Sequence, residues 1–200
     1  MRLTELAHNY LRAQLQPGDY AIDATSGNGH DTLHMAKLVG TTGHVIAVDI
    51  QEAAIAATRH RLKTENQLKQ VRLFLDDHSK VFQSLFTNQP QIFSAITFNL
   101  GYLPGSDKQI QTKPNTTIEA LGYTRELLKH DGLLLVTAYR GHSGGQVEAD
   151  FVAQWMHHLP SNSWQVEVHD PVATDNKEQP PPILWSVRKL HVELKEVRIQ

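Results

Sequence analysis

Two hundred residues make a comfortable single-domain length, and 40% hydrophobic with 20% charged residues is ordinary for a globular chain. A formal net charge of −2 gives no protein-wide basic field, so nucleic-acid binding would need a local patch. With no cysteine, disulfides, thiolate zinc sites and cysteine-held iron–sulfur clusters are excluded; the 12 histidines are scattered, and no metal is expected.

The chain opens on MRLTELAHNYLRAQLQPGDY, which lacks the uninterrupted apolar stretch of a secretory leader and reads as a helix. No apolar run approaches the roughly 20 residues that span a bilayer, so a cytoplasmic location without membrane contact is expected. Seven runs rich in β-branched and aromatic residues read as strands: DYAIDAT, HVIAVDI, VRLFLDD, FSAITFNL, GLLLVTAYR, WQVEVHD and ILWSVRKL. Helix candidates between the first five are His30–Leu38, Gln51–Glu65, Ser79–Phe86 and Thr116–Lys129, and Gly145–His158 precedes WQVEVHD. Such alternation implies parallel pairing with right-handed crossovers, giving an α/β, three-layer, doubly wound, Rossmann-like sheet of seven strands. The last two strands have no helix between them, only a stretch with NKEQPPP, which suits an antiparallel last strand. Leu103–Asn115 and Pro171–Pro182 read as loops, and with no repeat or linker, residues 1–200 are expected to form one domain.

In this architecture ligands bind beyond the carboxyl ends of the strands, where the chain carries its least ordinary residues. DATSGNGHDT (23–32) follows the first strand, with Gly27 and Gly29 letting the backbone approach a ligand. A dinucleotide fingerprint would put a third glycine at position 32, where Thr32 stands, and no GK[ST] follows for a phosphate loop. An adenosyl ligand without that phosphate grip is the remaining reading. Asp49, 20 residues past Gly29, ends the second strand and can accept both ribose hydroxyl protons. Taken singly, Asp23 also reads as a helix-dipole partner and Asp49 as a solvated strand end. Asp76, Asp77 and His78 end the third strand, where a carboxylate can accept an adenine amine; a helix N-cap is compatible with that role. Asn99 ends the fourth strand, in NLGYLPG.

NLGYLPG resembles the [ND]PP[YF] element of methyltransferases acting on exocyclic amines, with Leu100-Gly101 in place of the prolines and Tyr102 keeping the aromatic. The chain as a whole is similar to small class I methyltransferases labelled rRNA methylases, among them the tRNA 5-aminomethyl-2-thiouridine methyltransferases of the MnmM (YtqB) type. The similarity runs through PGDYAIDATSGNGHDT, GHVIAVDIQEAAI, DDHSK, FNLGYLPGSDK, KPNTTIEAL, LLKHDGLLLVTAYRGHSGGQVEA and PPILWSVRK, departing at Arg140, where the family often has His. The resemblance implies S-adenosylmethionine as donor and the aminomethyl nitrogen of a tRNA wobble uridine as acceptor. It places the cofactor on Asp23, Thr25, Gly27, Asn28, Gly29, His30, Asp31, Thr32, Asp49, Ile50, Gln51, Asp76, Asp77, His78 and Asn99. Asn99, the carbonyl of Leu100 and Tyr102 are the expected catalytic groups, the first two accepting the amine protons.

Positioning can supply much of the rate for a transfer from an intrinsically reactive sulfonium, so no covalent nucleophile is needed. Methylating carbon 5 of a pyrimidine normally needs a cysteine that adds to the ring, and this chain has none; an amine or a hydroxyl acceptor is compatible with that. Asp31, His30 and His142 are candidate proton acceptors. Tyr102 and Tyr139 are placed to stack on a base, while Lys108, Lys113 and Arg140, with the Gly141–Gly145 stretch including His142, Gly144 and Gly145, are placed for an anticodon loop. An rRNA or small amine or hydroxyl metabolite is the alternative acceptor, and a noncatalytic adenosyl-binding module is the alternative of another class. An exposed edge or helix face would serve a homodimer.

Overall fold

The computed structural model describes residues 2–88, 91–105, 107, 109–171 and 180–191. In chain order these form α1 (Leu3–Gln14), β1 (Tyr20–Asp23), α2 (His30–Val39), a 3-10 turn (Gly40–Thr42), β2 (His44–Asp49), α3 (Glu52–Thr64) and β3 (Val71–Leu75). There follow α4 (His78–Asn88), β4 (Phe93–Leu100), α5 (Pro114–Leu127), β5 (Leu128–Ala138), α6 (Gly145–His157), β6 (Trp164–His169) and β7 (Ile183–Lys189).

Alternate strand residues face opposite layers, and both layers are apolar. Ala21, Val45, Ala95, Leu133 and Leu135 pack with Leu11 of α1, Met35 and Val39 of α2 and Leu62 of α3. Their neighbours Ile22, Ile46, Ile96, Leu134 and Val136 pack with Phe82 of α4, Leu121 of α5 and Val152 of α6. Each large side chain buried completely in this way contributes roughly 1.5–3 kcal/mol. The sandwich therefore holds the strand ends in a fixed array.

The sheet order is β3-β2-β1-β4-β5-β7-β6, with β7 antiparallel to both β5 and β6 and the remaining pairs parallel. The expected doubly wound sheet with one antiparallel last strand is the observed one. Because the chain winds outward from β1 in one direction and from β4 in the other, the two carboxyl ends diverge into a crevice.

Helix ends differ from the expected ones by one or two residues. The fifth helix runs Pro114–Leu127 rather than Thr116–Lys129, with Pro114 at the first helical turn, where its missing N–H costs nothing. β5 starts at Leu128, and LKHDG enters the sheet through an irregularity: Asp131 has φ 59°, and pairing with β4 shifts between Phe93 and Ala95. A Cβ on Gly132 would lie 2.7 Å from the Lys129 carbonyl, which is why the bulge takes glycine. Among the described residues no helix is long and apolar enough to cross a membrane.

Candidate active site

A cavity of about 670 Å³ opens over the β1–β4 crevice. Thr25, Gly27, Asn28, His30 and Asp31 line it from the glycine loop, Asp49, Ile50 and Gln51 from the end of β2, and Asn99 and Tyr102 from the end of β4. Tyr139, Arg140 and His142 close it from beyond β5. The volume falls within the range of small-molecule and cofactor sites.

The loop is held from beneath. Ser26 N–H bonds the Val48 carbonyl, Gly29 N–H bonds the Ser26 carbonyl, and Thr25 Oγ1 accepts the Asn99 N–H at 2.7 Å, tying the loop to β2 and β4. Gly29 has φ 77°, and a Cβ there would meet Thr58 Cα of α3 at 2.8 Å; Thr58 Oγ1 in turn donates to the Gly27 carbonyl. Arg61 donates Nε–H to the Asn28 carbonyl at 2.7 Å and reaches His30 Nε2 at 3.1 Å. A guanidinium can only donate, so His30 Nε2 carries no proton; burial and the Arg61 charge both lower the His30 pKa. His30 is therefore a neutral wall of the cavity, its Nε2 already engaged.

Three carboxylates lie under or beside the loop, and their surroundings differ. Asp23 is fully buried and does not reach the cavity: it accepts Thr32 Oγ1–H at 2.6 Å and Thr25 N–H at 3.3 Å, and burial, reinforced by the Asp31 charge, pushes its pKa up to about 7. Thr32, also fully buried, makes its bond to Asp23, and Gly29 is covered by Thr58. Asp23, Gly29 and Thr32, expected on the cofactor, lie outside the cavity lining and shape the loop from below. Asp49 accepts Gly27 N–H and Gln51 N–H, each at 2.9 Å, while burial raises its pKa. Asp31 is strongly buried, yet hydrogen bonds from His8 and Asn99 outweigh the desolvation and its pKa is lowered.

The β4 end carries the strongest constraint. Asn99 Nδ2 donates to Asp31 Oδ2 at 2.7 Å, and Asp31 Oδ1 meets His8 Nε2 at 2.7 Å. The Leu100 carbonyl accepts Tyr139 N–H at 3.0 Å in the β4–β5 ladder, which takes one of its two lone pairs, and Leu100 is buried. Beyond it, Gly101 N–H bonds Thr112 Oγ1 and the Gly101 carbonyl accepts Thr112 N–H, so the turn closes on Thr112. Glu148 of α6, buried, accepts both Thr112 Oγ1–H at 2.6 Å and Thr117 Oγ1–H at 2.7 Å, bracing that turn. Tyr102 stands edge-on to His142, ring centroids 5.5 Å apart.

The remaining expected residues divide. Tyr139 lines the cavity and is 42% exposed, as a stacking platform requires. Arg140 lines it too, but its guanidinium is engaged by Asp170, at 2.6 Å and 3.3 Å, and by the Pro181 carbonyl, so its charge is already paired. Gly144 and Gly145 lie behind the wall, where a Cβ on Gly145 would meet the Tyr139 carbonyl at 2.5 Å. Asp76, Asp77 and His78 stay outside the cavity lining: Asp76 pairs with Lys80, Asp77 accepts Ser79 N–H as a helix cap, and His78 is buried edge-on to Phe98. Lys108 and most of the Pro171–Pro182 loop lie outside the described residues.

Sequence reading missed Ser26, His8 and Glu148. Ser26 Oγ and His142 Nε2 are buried without a hydrogen-bond partner, and both residues line the cavity. Both atoms are enclosed in the cavity wall, His142 Nε2 on the side of Gly145. The His30/His34 pair has helical i,i+4 spacing, but His34 stacks on His8, and among the described residues no group of three potential ligands could hold a metal.

A family model described as "Putative rRNA methylase" matches residues 45–187. The chain belongs to the rRNA methylase family. A solved "putative rRNA-methylase" from Clostridium thermocellum is 35% identical to it and superposes with a TM-score of 0.87, over 95% of this chain and 98% of that one. A "putative methyltransferase" from Streptococcus mutans, in complex with SAH, is 34% identical with a TM-score of 0.82, covering 95% and 99% of the two chains. The Arabidopsis thaliana protein named "tRNA (mnm(5)s(2)U34)-methyltransferase, chloroplastic" is 40% identical in an alignment of 171 residues that covers 82% of this rRNA methylase family member; the chain spans 62% of that relative's length.

Proposed function

We propose that the protein transfers a methyl group from S-adenosylmethionine to the aminomethyl nitrogen of the wobble uridine in a tRNA anticodon loop, turning 5-aminomethyl-2-thiouridine into 5-methylaminomethyl-2-thiouridine. The observation that carries the reading is Asn99: its carboxamide lies at the carboxyl end of β4, on the border between the glycine-loop side of the cavity and the side walled by Tyr102 and Tyr139. The name of the Arabidopsis relative supports the tRNA acceptor.

The residues present fit the cofactor. Asp49 keeps unused lone pairs for ribose hydroxyls, and Gly27 and Asn28 bring backbone close to the cavity. S-adenosylmethionine supplies an electrophilic methyl on a sulfonium. Asn99 accepts a hydrogen bond from the acceptor amine and aims its lone pair, while Tyr139 and Tyr102 offer faces for the uracil ring. The nitrogen lone pair takes the methyl as the carbon–sulfur bond breaks, the electron pair stays on sulfur, and the ammonium formed releases its proton to water.

The reading is tested with labelled S-adenosylmethionine offered separately to tRNA lacking the final wobble methyl, to ribosomal RNA and to small primary amines. Label in the tRNA wobble nucleoside is expected. Transfer to rRNA or to small amines with none to tRNA would refute it.

A further inference from the structure

The first helix reaches the site through a chain of hydrogen bonds that nothing in the transfer chemistry requires at first sight. His8 of α1 meets Asp31 Oδ1 at 2.7 Å, and Asn99 Nδ2 meets Asp31 Oδ2 at 2.7 Å. The His8 and Asp31 side chains are only 24% and 17% exposed, and the His8 ring is fixed by stacking on His34 with centroids 4.1 Å apart and planes within 10°. An ionised carboxylate accepts and cannot donate, so both neighbours must present N–H to it. That puts a proton on His8 Nε2. It also fixes the Asn99 carboxamide: the flipped amide would set an oxygen 2.7 Å from a carboxylate oxygen. With the nitrogen prong turned to Asp31, the oxygen prong is left for the cavity that Asn99 lines.

We propose that His8 is a positioning residue that acts through Asp31 to lock the Asn99 carboxamide with its oxygen toward the acceptor, making the site selective for an acceptor that donates a hydrogen bond. The role rests on the amine-transfer reading above. Without the His8 donor, Asp31 loses one of the two bonds that favour its charge, becomes easier to protonate, and then tolerates either orientation of Asn99. His8→Gln can present an N–H near the same place; His8→Leu cannot.

The test has two arms. In the first, without substrate, the side-chain amide of Asn99 is observed by nitrogen-15 NMR, assigned by its loss in Asn99→Ala. The wild-type signal is expected to show one downfield, exchange-protected proton, lost in His8→Leu and kept in His8→Gln. In the second, single-turnover methyl transfer is expected to fall about ten- to hundredfold in His8→Leu and to recover most of its rate in His8→Gln, with affinity for S-adenosylhomocysteine unchanged in both. A wild-type Asn99 amide exchanging freely with water, or one unaltered in His8→Leu, overturns the proposal even if a variant folds poorly. A locked amide in a wild-type protein that methylates no amine would instead refute the amine-transfer reading and leave the lock standing.

Discussion

Replacing Asp23 by asparagine tests how the floor of the glycine loop is built. Asp23 is fully buried, and burial, helped by the charge on Asp31, raises its pKa from 3.8 to about 7 against the opposing bonds from Thr32 and Thr25. Since the folded value lies above the unfolded one, the folded protein holds a proton that the unfolded chain has lost between those two pH values. Its contribution to stability is complete below pH 3.8 and declines as pH rises, vanishing above about 7. Between pH 4.5 and 7.5 the decline amounts to about 3 kcal/mol, at roughly 1.36 kcal/mol per pH unit over most of the range. An uncharged carboxamide at this position would carry no such dependence. Buried His78 and half-buried His34, whose pKa values are lowered by burial, tilt the curve the other way in both proteins, so the difference between variant and wild type at each pH is the informative quantity. Urea unfolding from pH 4.5 to 7.5 should show Asp23→Asn gaining on the wild type by about 3 kcal/mol. Parallel curves would mean that Asp23 is ionised in the folded protein and that the hydrogen bonds, not burial, govern it.

Further changes probe the cavity wall. Asp49→Asn should weaken S-adenosylhomocysteine binding about ten- to hundredfold by calorimetry, since it removes the charge from the acceptor of the ribose hydroxyls. Gly29→Ala should do at least as much harm, because φ 77° strains the residue and its Cβ meets Thr58 backbone at 2.8 Å; a variant binding as the wild type does would mean the loop can move away from α3. Arg140→Gln should change the salt dependence of tRNA binding little, as its charge is paired with Asp170; a slope smaller by about one would show that Arg140 contacts a phosphate.

The strand ends were legible because runs such as GLLLV and HVIAVD have one structural use, and because the alternation with helices leaves one crevice for a ligand. Thr32 in place of a glycine excluded the dinucleotide reading, yet its bond to Asp23 depends on how α2 leaves the loop. That Tyr139 N–H takes one lone pair of the Leu100 carbonyl was not legible locally, because it depends on the register of β4 with β5. Arg140 looked like a free cation because its partner Asp170 lies 30 residues on, and His8 was invisible because Asp31 meets it across 23 residues and two elements. At the third strand end, local capping by Asp77 and pairing of Asp76 with Lys80 supply structural roles for an acidic pair.

Whether Asn99 receives the acceptor amine is tested most directly by following a deuterated methyl group. S-Adenosylmethionine carrying a trideuterated methyl is incubated with tRNA bearing 5-aminomethyl-2-thiouridine, and the digested nucleosides are weighed by mass spectrometry. The wild type should place the intact labelled methyl on the wobble aminomethyl nitrogen, while Asn99→Ala, binding S-adenosylhomocysteine as before, should place almost none. Equal labelling by Asn99→Ala, or label on any other nucleoside with the wobble position bare, would contradict the account.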